Sequence, residues 1–152
     1  MKKKDRQAYI QAIKPLLSEK RFEHSLNVAQ EAVKLAKKYG ADPEKAEAAG
    51  ILHDILKDTP ADKQLKIISD FGIIMNDVTV LEKVVFVADF ISKDRDYPGV
   101  EEMRKTAYKS LDRAIVEGIA FTVGALLKDR EPVVPETVDA YNDAVWAVRH
   151  GK

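Results

Sequence analysis

Ala46-Glu47-Ala48-Ala49-Gly50-Ile51-Leu52-His53-Asp54-Ile55-Leu56-Lys57-Asp58 is a run of small and apolar residues with two ionisable side chains adjacent in its second half. It reads as a helix, and a helix this apolar belongs in a core, where an unpaired charge is costly. His53 and Asp54 therefore need a partner. Neutral imidazole and carboxylate are the donors that iron, manganese and zinc accept. The competing reading is a buried histidine hydrogen-bonded to its surroundings, next to an aspartate at the rim. A two-residue word does not decide between them; the segments on either side do.

On the N-terminal side the spacing predicts a helix over 5–17, with Tyr9, Ile10, Ile13, Leu16 and Leu17 as its apolar stripe. A second helix follows over 20–39 and stops at Gly40, which suits a left-handed C-terminal cap. Asp42 and Pro43 suit the N-cap and first position of the helix that carries His53 and Asp54. On the C-terminal side a short amphipathic helix is expected over 62–71. A longer one starts near Thr79, where Val84, Val85, Val87, Ala88, Phe90 and Ile91 surround one acid, Asp89. Its β-branched residues would also suit a strand, but its length favours a helix. A polar loop with a Pro98-Gly99 turn leads to helices over 100–108, 111–127 and 136–149. The fold expected is all-α, one helical domain over 1–152.

Composition narrows the function. The chain has 152 residues, enough for one domain with a real core. Its 25 basic and 25 acidic residues cancel, which argues against a broad basic surface for nucleic acid. Asp89 and Glu117 interrupt the longest apolar stretches, so no membrane span is expected. Met1-Lys2-Lys3-Lys4 is basic but no signal-peptide core follows it. With no cysteine, disulfides and thiolate metal sites are excluded, and a cytoplasmic setting fits.

Three helices thus each offer a ligand type from an apolar face: His24, four before Val28; His53 with Asp54; and Asp89. Converging, they would make a site of two imidazoles and two carboxylates with positions left for water and substrate, which suits a catalytic ion. Taken singly, His24 reads as a satisfied core histidine and Asp89 as the partner of an arginine. Cations lie nearby in sequence: Arg21 one turn before His24, Lys57 on the His53-Asp54 side of its helix, and Arg95 in the loop after Asp89. Arg would hold phosphate oxygens as a fork and Lys as a point charge. His150 reads as a surface residue and Trp146 as packing.

The order His24, His53-Asp54, Asp89 resembles the HD superfamily of metal-dependent phosphohydrolases. Arg21-Phe22-Glu23-His24, His53-Asp54-Ile55-Leu56-Lys57, Leu81-Glu82-Lys83-Val84 and Ala88-Asp89-Phe90-Ile91 resemble, within it, the YqeK family. So do Arg95 with Pro98-Gly99-Val100, and Pro135-Glu136-Thr137 with Tyr141-Asn142. The resemblance implies an HD-domain helical bundle that splits diadenosine tetraphosphate into two ADP, with bound iron, or else manganese or cobalt. It implies His24, His53, Asp54 and Asp89 as metal ligands, and Asp54 and Lys57 as catalytic. Arg21, His24, Asp54, Arg95, Pro135, Glu136 and Thr137 would contact the nucleotide. One departure is large: between Phe71 and Leu81 this chain lacks a middle segment that carries two further histidines in that family. A shortened chain would pair with a second copy as a homodimer that covers Ile67, Ile68, Ile73 and Ile74, or else be marginally stable. The alternatives are a degenerate HD domain that binds metal or nucleotide without turnover, and a phosphohydrolase of another small nucleotide.

Overall fold

The computed structural model describes residues 3–55, 57 and 79–150, and all regular elements among them are helices. In chain order they are α1 (Lys3–Ile13), α2 (Glu19–Tyr39), α3 (Pro43–Leu52), α4 (Val80–Ile91), α5 (Val100–Lys109), α6 (Leu111–Asp129) and α7 (Pro135–His150). The helix expected over 62–71 lies outside the described residues, as do Ile67, Ile68, Ile73 and Ile74. None of the described helices is long and apolar enough to cross a membrane. The chain divides into two compact units, Met1–Asp94 and Arg95–Lys152.

In the first unit α2 packs against α3 and α4, and α3 also against α4 and α1. Val28, Ala32, Leu35 and Ala36 of α2 are buried, as are Ile51 of α3 and Val84, Val87, Ala88 and Ile91 of α4. Ile13, Leu17, Ala29 and Ile51 form one buried cluster, with Ile10, Phe22, Leu52 and Ile55 against it. The α2–α3 crossing is close because Gly50 has no side chain: a Cβ there would lie 2.6 Å from the Ala29 Cα and 2.9 Å from its N. Both opposing atoms are backbone, so nothing can rotate away.

The local signals act as their chemistry requires. Gly40 takes the left-handed conformation (φ 75°) and its N–H bonds to the Ala36 carbonyl, closing α2. Asp42 Oδ1 accepts from the N–H groups of Glu44 and Lys45, at 2.9 and 3.2 Å, with Pro43 in the first turn. Thr79 opens α4 through a full capping box with Glu82. In the second unit Ser110 ends α5 and starts α6, its N–H bonding to the Thr106 carbonyl and its Oγ accepting from the Arg113 N–H. There α6 packs against both α5 and α7, and Val100, Met103, Ala107, Leu111, Ala114 and Ile119 are buried.

Two boundaries differ from the sequence reading by more than two residues. α1 ends at Ile13 rather than near 17, because Pro15 has no N–H to continue the ladder and disfavours helix at Lys14. Leu16, expected in the stripe, is 51% exposed. α3 ends at Leu52, so His53 and Asp54 sit in the turn beyond it and not in a helix interior. The reason is local: His53 Nδ1 bonds at 2.9 Å to the Gly50 carbonyl, the group that an Asp54 N–H would occupy in a continued helix. The chain instead tightens, with Ile55 N–H on the Leu52 carbonyl and Lys57 N–H on the Asp54 carbonyl.

Two glycines separate approach from propensity. Gly50→Ala should destabilise the protein by about 3 kcal/mol, because the Ala29 backbone must move. Gly124→Ala, in α6 with open space around its Cβ position, should instead stabilise by about 0.5–1 kcal/mol. Urea unfolding midpoints read both. Thr79→Ala should cost about 1 kcal/mol. Hydrogen bonds from the Thr79 backbone and hydroxyl hold the Glu82 carboxyl below its ordinary 4.5, against a small opposing push from burial. The Glu82 share is therefore fully present above pH 4.5 and is lost as pH falls through the lower folded value.

Candidate metal centre

His24 lies on the buried face of α2, Asp89 in the last turn of α4, and His53 in the turn after α3. Each offers one donor atom, and these atoms all lie within 4.8 Å of one another. His24 Nε2 is 2.8 Å from Asp89 Oδ1, and His53 Nε2 is 3.8 Å from that same oxygen. Two donors bound at about 2.0–2.2 Å to one ion stand roughly 3–3.5 Å apart, so the three need little movement to share one. The two imidazoles meet edge to face with centroids 5.4 Å apart.

The tautomers favour the same reading. His53 Nδ1 donates to the Gly50 carbonyl, which leaves Nε2 with a lone pair. That Nε2 is buried and has no hydrogen-bond partner among the described residues. A buried nitrogen without a partner costs free energy unless something binds it. His24 is held from both sides, Nδ1 by Asp94 Oδ2 at 2.6 Å and Nε2 by Asp89 Oδ1. A neutral imidazole has one proton and cannot satisfy both carboxylates. Either the ring carries two protons or a cation stands between Nε2 and Asp89. Desolvation pushes the Asp94 carboxyl up, but hydrogen bonds from His24, Ser92 and its own backbone outweigh it, and its pKa lies below the ordinary 3.8.

Asp54 stands beside this group. Its Oδ2 is 3.7 Å from His53 Nε2 and 3.5 Å from Arg21 Nη1, and its Oδ1 is 3.9 Å from Lys57 Nζ. The Asp54 side chain is 15% exposed, whereas Arg21 and Lys57 reach toward solvent. Of the residues singled out in the sequence, the structure thus brings His24, His53, Asp54, Asp89, Arg21 and Lys57 together in the first unit. Lys57 is there although the helix expected to carry it stops at Leu52.

Arg95, Pro135, Glu136 and Thr137 belong to the second unit. The Arg95 carbonyl accepts from Arg104 Nη2 at 3.0 Å, and Pro135, Glu136 and Thr137 form the first turn of α7. Trp146, expected as packing, is half exposed and stacks on His150, whose Nδ1 bonds to the Trp146 carbonyl. Two groups at the centre were missed in the sequence: Asp94, hidden in a polar loop, and the Gly50 carbonyl, which sequence does not display.

Comparison with known proteins gives the same answer as the geometry. The HD-domain family model matches residues 21–120. A symmetrical bis(5'-nucleosyl)-tetraphosphatase of Halalkalibacterium halodurans is 32% identical over 174 residues, covering 88% of this chain and 93% of that protein. Another, of Bacillus subtilis, is 31% identical over 185 residues, covering 95% and 98%. A crystal structure described as a predicted HD superfamily hydrolase involved in NAD metabolism, from Clostridium acetobutylicum, superposes with a TM-score of 0.83. It is 25% identical and covers 91% of this chain and 96% of its own. Matches of 174 and 185 positions exceed the 152 residues available, so both curated relatives carry residues inside the match that this chain lacks. Family model, relatives and the clustered His24, His53 and Asp89 agree: the chain belongs to the HD-domain family of metal-dependent phosphohydrolases, with the symmetrical bis(5'-nucleosyl)-tetraphosphatases.

Proposed function

We propose that the protein hydrolyses dinucleoside tetraphosphates, diadenosine tetraphosphate foremost, at the central anhydride to give two nucleoside diphosphates. The observation that carries this is the buried His53 Nε2, without a hydrogen-bond partner among the described residues and 3.8 Å from Asp89 beside His24, in a chain whose relatives are named for that activity. His24, His53 and Asp89 would hold the metal, with Asp54 as a fourth ligand. Imidazole and carboxylate donors suit iron, with manganese or cobalt as alternatives. When bound, the ion supplies Lewis acidity, making a water more acidic and offsetting charge on phosphoryl oxygens. Residues 1–152 would form one HD domain.

The remaining chemistry falls to side chains around Asp54. A water aligned with one of the two inner phosphorus atoms loses its proton to the Asp54 carboxylate as its oxygen attacks. The bond from that phosphorus to the bridging oxygen breaks, and the leaving diphosphate departs as an anion. Lys57 and Arg21 each lie within 4 Å of Asp54 and extend to solvent, so they can meet an incoming polyphosphate. Arg21 offers a planar fork for two phosphoryl oxygens, and Lys57 a point charge for the leaving oxygen. Arg95, Pro135, Glu136 and Thr137 would contact the nucleotide by resemblance alone and are not needed for this reading.

Binding without turnover is the second reading. One observation favours it: the relatives carry residues inside the match that this chain lacks.

With diadenosine tetraphosphate, chromatography should show ADP as the only nucleotide product. ATP with AMP would place cleavage at an outer anhydride, and an unchanged substrate with bound metal would favour the second reading. Lys57→Ala and Arg21→Ala should each lower kcat at least tenfold while keeping the ion. His53→Ala and Asp89→Ala should lose the ion by elemental analysis, and His150→Ala should retain it.

A further inference from the structure

A histidine can present Nε2 to a ligand only if its proton sits on Nδ1, and something must hold it there. For His53 the Gly50 carbonyl does so from one turn back. Around His24 that role falls to a side chain from another element: Asp94 Oδ2 lies 2.6 Å from His24 Nδ1, a charge-assisted distance. The ring it meets is nearly enclosed, with the His24 side chain 11% exposed.

The end of α4 makes this possible. In a continued helix Asp94, five residues after Asp89, would lie about 7.5 Å further along the axis and roughly 140° around it. One imidazole could not then touch both. Instead α4 stops at Ile91, and Ser92 takes an extended conformation (φ −52°, ψ 153°) while its N–H still caps the Ala88 carbonyl. The chain turns back, and Asp89 and Asp94 bracket a single ring, one on each nitrogen.

We propose that Asp94 is a positioning residue of the metal centre: it fixes His24 with the proton on Nδ1, so that Nε2 is the donor. This rests on the reading of His24, His53 and Asp89 as metal ligands. Asp94 touches neither metal nor substrate in this role. Its effect therefore falls first on metal affinity, and on turnover only through it. Asparagine at this position keeps an oxygen that accepts from Nδ1–H, whereas alanine leaves the ring free to rotate or change tautomer.

The test uses the full chain stripped by chelator and titrated with Mn2+ by calorimetry, with thermal melts to confirm folding. Wild type should bind one ion. Asp94→Ala should bind about 10–100-fold more weakly. Asp94→Asn should recover most of that loss. Asp94→Ala with wild-type affinity, or Asp94→Asn as weak as alanine, would overturn the positioning role while leaving the metal site standing. No binding by wild type would overturn the metal reading itself. Nitrogen NMR on unmutated protein loaded with Zn2+ gives an answer even if Asp94→Ala fails to fold. His24 should show a protonated Nδ1 and a ligated Nε2, and ligation through Nδ1 would overturn the proposal.

Discussion

The approach of the Gly50 and Ala29 backbones is the constraint on which the metal centre depends. Two helices touch there without side chains between them. His24 lies five residues before that contact on α2, and His53 three residues after it beyond α3, so each ring stands about one turn from a fixed point. Widening the crossing by one methyl would carry His53 away from Asp89, although neither residue had changed. The same glycine also acts through its carbonyl, which takes the His53 Nδ1 proton, ends α3 and leaves Nε2 facing inward.

Around that contact the charges have a direction. Asp89, Asp94 and Asp54 bring three carboxylates to two imidazoles. The cations nearest Asp54, Arg21 and Lys57, each lie within 4 Å of its carboxylate and are partly exposed. The group around the two imidazoles thus concentrates lone pairs and negative charge, which a cation relieves, while Arg21 and Lys57 offer positive groups to an anion.

Much of this was legible in the sequence where one residue's chemistry has one local outcome. Gly40, Asp42 with Pro43, and Thr79 mark helix ends in the sequence and cap helices in the structure. His24 was readable as buried because it lies one turn from Val28. Other features depend on partners distant in sequence. Gly50 in an alanine-rich run reads as a weak point of a helix, and only Ala29 across the gap gives it a purpose. The end of α3 follows from a side chain bonding its own backbone, a competition that apolar spacing does not encode. Asp94 reads as one more residue of a polar loop, since its role depends on how α4 ends. Pro15 marks the end of α1 in the sequence, although the apolar spacing continues to Leu17.

The central claim is that His24, His53 and Asp89 converge to hold one ion through the nitrogens and oxygen that face each other. Anomalous diffraction at the manganese edge, from crystals grown with Mn2+, tests it most directly. The account predicts one anomalous peak at bonding distance from His24 Nε2, His53 Nε2 and an Asp89 carboxylate oxygen. A peak bonded to other residues, or His53 Nε2 facing only water in the presence of the ion, would contradict it.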